Sequence, residues 1–321
     1  MKYICTQVHC MLNRRHIRIK VLQLLYSKST ADSKTKDLIS EFNKRSINFF
    51  RLYILNFLLF EKLFHEFSKK EIIISNKNYD NDSSSIKRLI LDNELLLFFK
   101  KSSTLQKLKN KYDLNIWDEN IQIIESLFNE IFKSDLFIKY HQLDNLDFKK
   151  RKKFVIDVFK NIIVNSEILY QLYEDLELEW IDDFPLVNTL FLNYLKGYDS
   201  ESKNSIPLKI FADKDDKKFG LDLFKHTVKN DEELEKIVSK FTPDWENERI
   251  AIIDLLIIKL CISEFINFPS IPVKVSMNEY VEISKIYSSP ESSNFINGVA
   301  NNVFKYLTEK NEIKKNERGS Q

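Results

Sequence analysis

Three arginines near the start of the chain, Arg14, Arg15 and Arg18, point most directly to chemistry. A guanidinium is planar, permanently charged and carries five N–H donors in a fixed fork, which suits phosphate groups and the edges of unstacked bases. On a helix Arg14 and Arg18 fall one turn apart and Arg15 adjoins Arg18 at i+3, so all three share a face. From Met1 to Lys28 the chain holds six basic residues and no acidic one, although its net charge is only +2. A local cluster on a nearly neutral protein predicts one anion-facing surface rather than general stickiness. The competing reading is a solvated basic helix end. A second basic run, Lys149 to Lys153, reads more simply as a solvated helix start.

The elements that must position these residues read as helices. Ile17, Val21, Leu24 and Leu25 form one apolar stripe over residues 13–27, with Asn13 as N-cap. Of 321 residues only 4 are Gly and 6 are Pro, none before Pro185. Sandwiches, barrels and doubly wound sheets need these residues for turns, bulges and phosphate loops, so the fold class is all-α. Apolar residues make up 43% and charged residues 30%, in the range of globular proteins. Cys5, Cys10 and Cys261 form neither a disulfide framework nor a zinc pattern, which fits a reducing cytoplasm. No stretch of 18 residues lacks a charge, so no membrane span is expected.

Along the chain, Phe49–Phe67 is strongly apolar and Ser68–Ser85 reads as a polar loop. Asp182, Asp183 and Pro185 punctuate the chain before a helix ending near Gly197. Residues 198–218 are the best linker candidate. Further on, Asn230 or Asp231 can cap a helix with the stripe Leu234, Ile237, Val238 and Phe241. Thr242-Pro243 opens a helix that is apolar almost all round through Phe265, and so belongs at the centre of a bundle. Ser276-Met277-Asn278-Glu279 reads as a capping box. Ser289-Pro290 opens a last helix with Phe295, Val299, Val303 and Leu307 on one stripe. Residues 1–12 are expected to be a disordered or mis-assigned start, Met11 being a second candidate initiator, and 309–321 a disordered tail.

Several ordered motifs resemble those of the NusB family. Ile271-Pro-Val-Lys-Val-Ser-Met-Asn-Glu-Tyr-Val-Glu-Ile-Ser-Lys285 is similar to its "IPxKVAINEAVELAK" signature, and Phe295-Ile-Asn-Gly-Val299 looks like "FINGV". Trp245 to Phe265 resembles the "WxxERIAxIDRxILRLAxYEL" helix, with Lys259 where arginine is common. Arg14 through Tyr26 resembles the arginine-rich first helix, "RRxARExALQxLY". The resemblance covers residues 13–27 and 219–307. It implies a NusB-like helical bundle, with 13–27 as first helix and 219–308 as core, and 28–197 as an additional helical region inserted after the first helix.

That family membership implies a non-enzymatic transcription antitermination factor. Such a factor binds boxA-type single-stranded RNA with ribosomal protein NusE, joins the RNA polymerase elongation complex and suppresses premature termination, notably in rRNA operons. Carried over residue by residue, it implies RNA contacts at Arg14, Arg15, Arg18, Lys274, Glu291, Phe295 and Asn297, a partner contact at Asp254, and no metal or cofactor. Each has a plainer alternative. Phe295 can belong to the core, Asn297 can join helices, Lys274 can be a solvated loop lysine, and Glu291 can answer the helix dipole. Gly298 reads as a close-packing position. Asp254, an acid in an apolar helix, needs a partner of some kind, internal or external. Two other functions compete: an accessory domain related to RNA methyltransferases, disfavoured because the four glycines never cluster, and a protein-interaction scaffold without RNA binding.

Overall fold

The computed structural model describes residues 10–30, 35–75, 86–143, 145–199, 205–207, 209–211, 213–242 and 251–320. Two compact units emerge, one from residues 1–46 with 209–321 and one from 47–208. The second is inserted in the sequence of the first.

The first unit opens with a short strand, β1 (Cys10–Leu12), and helix α1 (Arg14–Thr30). Asn13 caps α1: its Oδ1 accepts the backbone N–H of His16 at 3.1 Å. Helix α2 (Thr35–Ser75) begins in the first unit and continues into the second. Where a polar loop was expected from Ser68, the chain is helical through Ser75. Ser68 Oγ bonds back to the Phe64 carbonyl, and Lys69 pairs with Glu66 at i+3, so the helix tolerates these polar residues through Ser75. Residues 76–85 lie outside the described residues.

In the inserted unit α2 is followed by a π-helical turn (Lys87–Leu91) and helices α3 (Glu94–Lys101), α4 (Ser103–Lys111), α5 (Ile116–Glu119), α6 (Ile121–Lys133) and α7 (Asp135–His141). Helix α8 (Phe148–Val158) runs into a second π-helical turn (Phe159–Ile163), and α9 (Glu167–Leu176) and α10 (Glu179–Gly197) complete the unit. Its core is aromatic: Phe57, Phe99, Phe159 and Phe191 meet mostly edge to face, with Phe57–Phe191 centroids 4.8 Å apart. Both buried indoles are satisfied by main chain, Trp117 Nε1 donating to Leu55 O and Trp180 Nε1 to Asn48 O. Pro185 lies inside α10 rather than ahead of it. At the seventh position of the helix it lacks the N–H that would bond to the Ile181 carbonyl, and its ring crowds that carbonyl.

The chain returns to the first unit through β2 (Lys209–Phe211), which pairs in parallel with β1, Cys10 opposite Lys209 and Leu12 opposite Phe211. Residues 10–12, expected to belong to a disordered or mis-assigned start, thus hold backbone partners, and Leu12 is fully buried. Residues 1–9 lie outside the described residues. Helix α11 (Lys214–Lys229) starts inside the expected linker, capped by Asp213, whose carboxylate accepts the Asp216 N–H. Helices α12 (Asp231–Lys240), α13 (Ile252–Asn267), α14 (Val273–Tyr287) and α15 (Ser292–Glu309) follow. The expected helix start at Thr242-Pro243 falls on Pro243–Ile250, outside the described residues. As predicted, α13 is buried nearly all round and packs on α1, α11, α12, α14 and α15.

Two local expectations change. The capping box at Ser276 is not formed: α14 already starts at Val273 behind Pro272, and Ser276 is wholly buried within it. The stripe of α15 is Ile296, Val299, Ala300, Val303 and Leu307, one position round from Phe295, which is half-buried. Among the described residues the fold is all-α apart from the short two-stranded ladder.

Two helical glycines should respond in opposite ways to alanine. A Cβ on Gly220 would lie 2.6 Å from both Ile17 Cγ2 and Phe42 Cζ, two buried side chains, so Gly220→Ala overpacks the contact of α11 with α1 and α2. Among the described residues a Cβ on Gly298 would meet nothing within 4 Å, so none of them requires that glycine. Gly220→Ala is expected to cost about 1–3 kcal/mol and Gly298→Ala to stabilise by about 0.5–1 kcal/mol. Denaturant melts of the two variants check both signs.

Candidate nucleic-acid interface

Helix α13 carries three charges in an otherwise apolar sequence, Asp254, Lys259 and Glu264. All are buried, so each must be answered internally. Asp254 Oδ2 accepts the Ser292 hydroxyl at 2.6 Å, and Oδ1 accepts that of Ser288. It therefore ties α13 to the start of α15. Of the internal or external partner that the sequence required for Asp254, the structure supplies an internal one: at 5% exposure its carboxylate is bonded inside the bundle. Lys259 donates to Asp231 and Glu235 on α12, both at 2.8 Å.

Glu264 anchors α1. Its Oε1 accepts Arg18 Nη2 at 2.6 Å and Ser276 Oγ at 2.6 Å; its Oε2 accepts Arg18 Nε at 2.8 Å and the Tyr280 hydroxyl at 3.0 Å. Burial opposes the charge on Arg18, yet the hydrogen bonds and charge of Glu264 outweigh it and hold the guanidinium protonated. Burial, then the Glu264 carboxylate, pushes the Tyr280 hydroxyl up. Arg18 is 2% exposed and its guanidinium also lies over the ring of Phe219. Arg18, expected from sequence to touch RNA, is here committed to Glu264 at the floor of the groove that Arg14 and Arg15 line. Its charge is spent on holding α1 against α13 and α14.

One turn earlier the same face reaches solvent. Arg15 makes a two-pronged bond to Glu279, Nε and Nη2 each at 2.8 Å, and Arg14 Nε reaches Asp216 at 3.0 Å while its guanidinium lies over Phe219. The bond to Arg15 lowers the pKa of Glu279, and the same bond raises that of Arg15. The side chains of Arg14 and Arg15 remain 38% and 40% exposed. Among the described residues no protein partner reaches the two terminal nitrogens of Arg14 or the remaining one of Arg15. These donors line an open groove of about 560 Å³, whose apolar side is Ile271, Pro272 and Val275 and which Arg318 also borders.

The other expected contacts are not gathered there. Lys274 is exposed next to groove-lining Val275. Glu291 precedes α15, and Phe295 and Asn297 lie on it, none of them lining the groove. Phe295 and Asn297 are two residues apart, so they point about 200° apart and cannot serve one helix face together. In the inserted unit, the second basic run is largely employed in structure. Arg151 pairs with Glu94 at 2.5 Å, Lys150 Nζ donates to Asn145 O, and Lys152 Nζ donates to the carbonyls of Lys196 and Tyr198. Sequence reasoning missed Glu264, Tyr280 and Arg318. Glu264 was within reach, because the need for a partner inferred for Asp254 applies equally to it.

A helical bundle built round a central apolar helix, with an arginine-bearing groove where its first helix begins, is the class of protein that fold and site define. The model of the NusB family matches residues 186–305. A transcription antitermination protein NusB of Salinibacter ruber is 33% identical over 136 residues, 42% of this chain and 85% of that protein. Those of Chloroherpeton thalassium and Koribacter versatilis are 32% identical over 121 residues and 42% over 89, covering 57% and 61% of their lengths. No solved structure matches the chain. The chain belongs to the NusB family.

Removing one partner of a buried ion pair leaves the other charge stranded, at a cost of about 3–5 kcal/mol. Arg18→Ala is therefore expected to lower stability by that amount, and Arg14→Ala by no more than about 1 kcal/mol, as for an exposed pair. Equal effects of the two substitutions in urea melts would contradict the assignment. Because the pKa of Glu279 is depressed in the folded state, its contribution is present above the ordinary carboxylate range and lost as pH falls through the folded value. Replacing Glu279 by Gln should flatten the acid limb of the stability profile and leave stability near neutral pH lower.

Proposed function

We propose that this chain is a non-catalytic transcription antitermination factor that binds boxA-type single-stranded RNA together with ribosomal protein NusE. On this reading it joins the RNA polymerase elongation complex and suppresses premature termination, notably in rRNA operons. The observation that supports it is the groove at the start of α1, where Arg14 and Arg15 present unpartnered N–H donors beside an apolar wall. Single-stranded RNA offers phosphates to such donors and unstacked bases to such a wall. Lys274 extends the basic side. Arg18 and Asp254 keep the frame in register and touch neither ligand.

The proposed division is a NusB-like domain, from residues 13–27 and 219–308, interrupted by a helical region with no assigned part in RNA contact. No helix among the described residues is long and apolar enough to cross a membrane. Nothing in the reading requires one.

The test is an anisotropy titration with boxA-type and scrambled RNA, with and without NusE, over a series of salt concentrations. The chain should prefer boxA-type RNA and bind it more tightly with NusE. In the Arg14→Ala/Arg15→Ala double variant, the log–log salt slope should fall by about 0.7 for each phosphate no longer neutralised, while the variant stays folded and loses no more than about 1 kcal/mol of stability for each partly exposed pair. A folded double variant with unchanged affinity and slope would remove this groove from the reading.

A further inference from the structure

The segment after α15 was expected to be a disordered tail, but it is tied to the groove. Asn311 adopts a left-handed φ of 56° and ends the helix. The Asn311 N–H bonds to Thr308 O and the Glu312 N–H to Leu307 O, the paired bonds of a Schellman turn. The chain then folds back onto the connection between α13 and α14. Lys315 Nζ donates to Phe268 O at 2.9 Å, and the Asn316 N–H to Pro269 O at 3.1 Å. Gly319 is buried there, and a Cβ on it would stand 2.0 Å from Pro269 O. Only glycine lets the backbone come so close.

This docking sets Arg318 on the rim of the groove that Arg14 and Arg15 line. Arg318 is exposed, and among the described residues it has neither an ion-pair nor a hydrogen-bond partner. Asp216 and Glu279 answer the other two arginines, so Arg318 adds an uncompensated positive charge. The match to the family model ends at residue 305, before this segment begins. We infer that residues 311–320 form a clasp that completes the RNA-binding groove, with Arg318 contacting a phosphate of the bound strand. The inference rests on the RNA reading above. It replaces the third arginine, Arg18, which the interior has claimed, by one from the opposite end of the sequence.

The experiment is a salt titration of boxA-type RNA binding by the full chain and by Arg318→Ala, Arg318→Lys and Gly319→Val. A phosphate contact by Arg318 means that Arg318→Ala flattens the log–log slope by about 0.7. The wild type's advantage over this variant should then shrink about five-fold per ten-fold rise in salt. Arg318→Lys keeps the charge and should keep the slope. Gly319→Val, which must push the segment off Pro269, should flatten it as Arg318→Ala does. Melts should show Arg318→Ala as stable as the wild type. A wild-type slope in Arg318→Ala or in Gly319→Val overturns the clasp and leaves the RNA reading standing. Failure of the wild type to prefer boxA-type over scrambled RNA overturns both.

Discussion

The contact between Arg18 and Glu264 is the one on which the rest of the first unit depends. Its carboxylate takes four hydrogen bonds from three side chains on two helices, so one buried charge fixes α1 and α14 against α13 together. An apolar helix packs acceptably in many rotations; a buried carboxylate packs in one, since any other leaves it unpaired. Lys259 and Asp254 act likewise toward α12 and the start of α15. Three charges on a greasy helix thus specify which neighbour lies on which side.

The site follows from that frame. Arg14 and Arg18 lie on one helix face and over the same ring, Phe219, yet only the first reaches solvent. The difference is depth: one turn into α1 the face is covered by α11, α13 and α14, whereas the first turn stands at the groove. Arg14 and Arg15 are held in turn by Asp216 and Glu279, and such pre-ordering reduces the side-chain entropy a bound ligand would otherwise cost.

Helical periodicity and the shortage of glycine and proline made the fold class legible from sequence. The apolar run of α13 also announced itself as a bundle centre. What sequence could not supply was the direction of each charge. Arg18 and Arg14 are chemically identical and share a stripe, and only the presence of Glu264 opposite one of them separates core from surface. The same limit affected Asp254, where the need for a partner was evident but not its location. Arg318 gave no signal, because its role depends on Gly319 fitting against Pro269, a contact between segments about fifty residues apart. The ladder of β1 and β2 escaped notice because three-residue strands carry too little pattern to read.

The inserted unit has its own aromatic core and engages Lys150, Arg151 and Lys152 of its basic run internally, and the proposed reading puts RNA on the first unit. The most direct test is photo-crosslinking of boxA-type RNA carrying 4-thiouridine, followed by mass mapping of the modified peptides. Adducts are expected on residues 13–16, on 270–275 and on the segment around Arg318. Adducts confined to α15, or to residues 148–153 of the inserted unit, would contradict an RNA site at the start of α1.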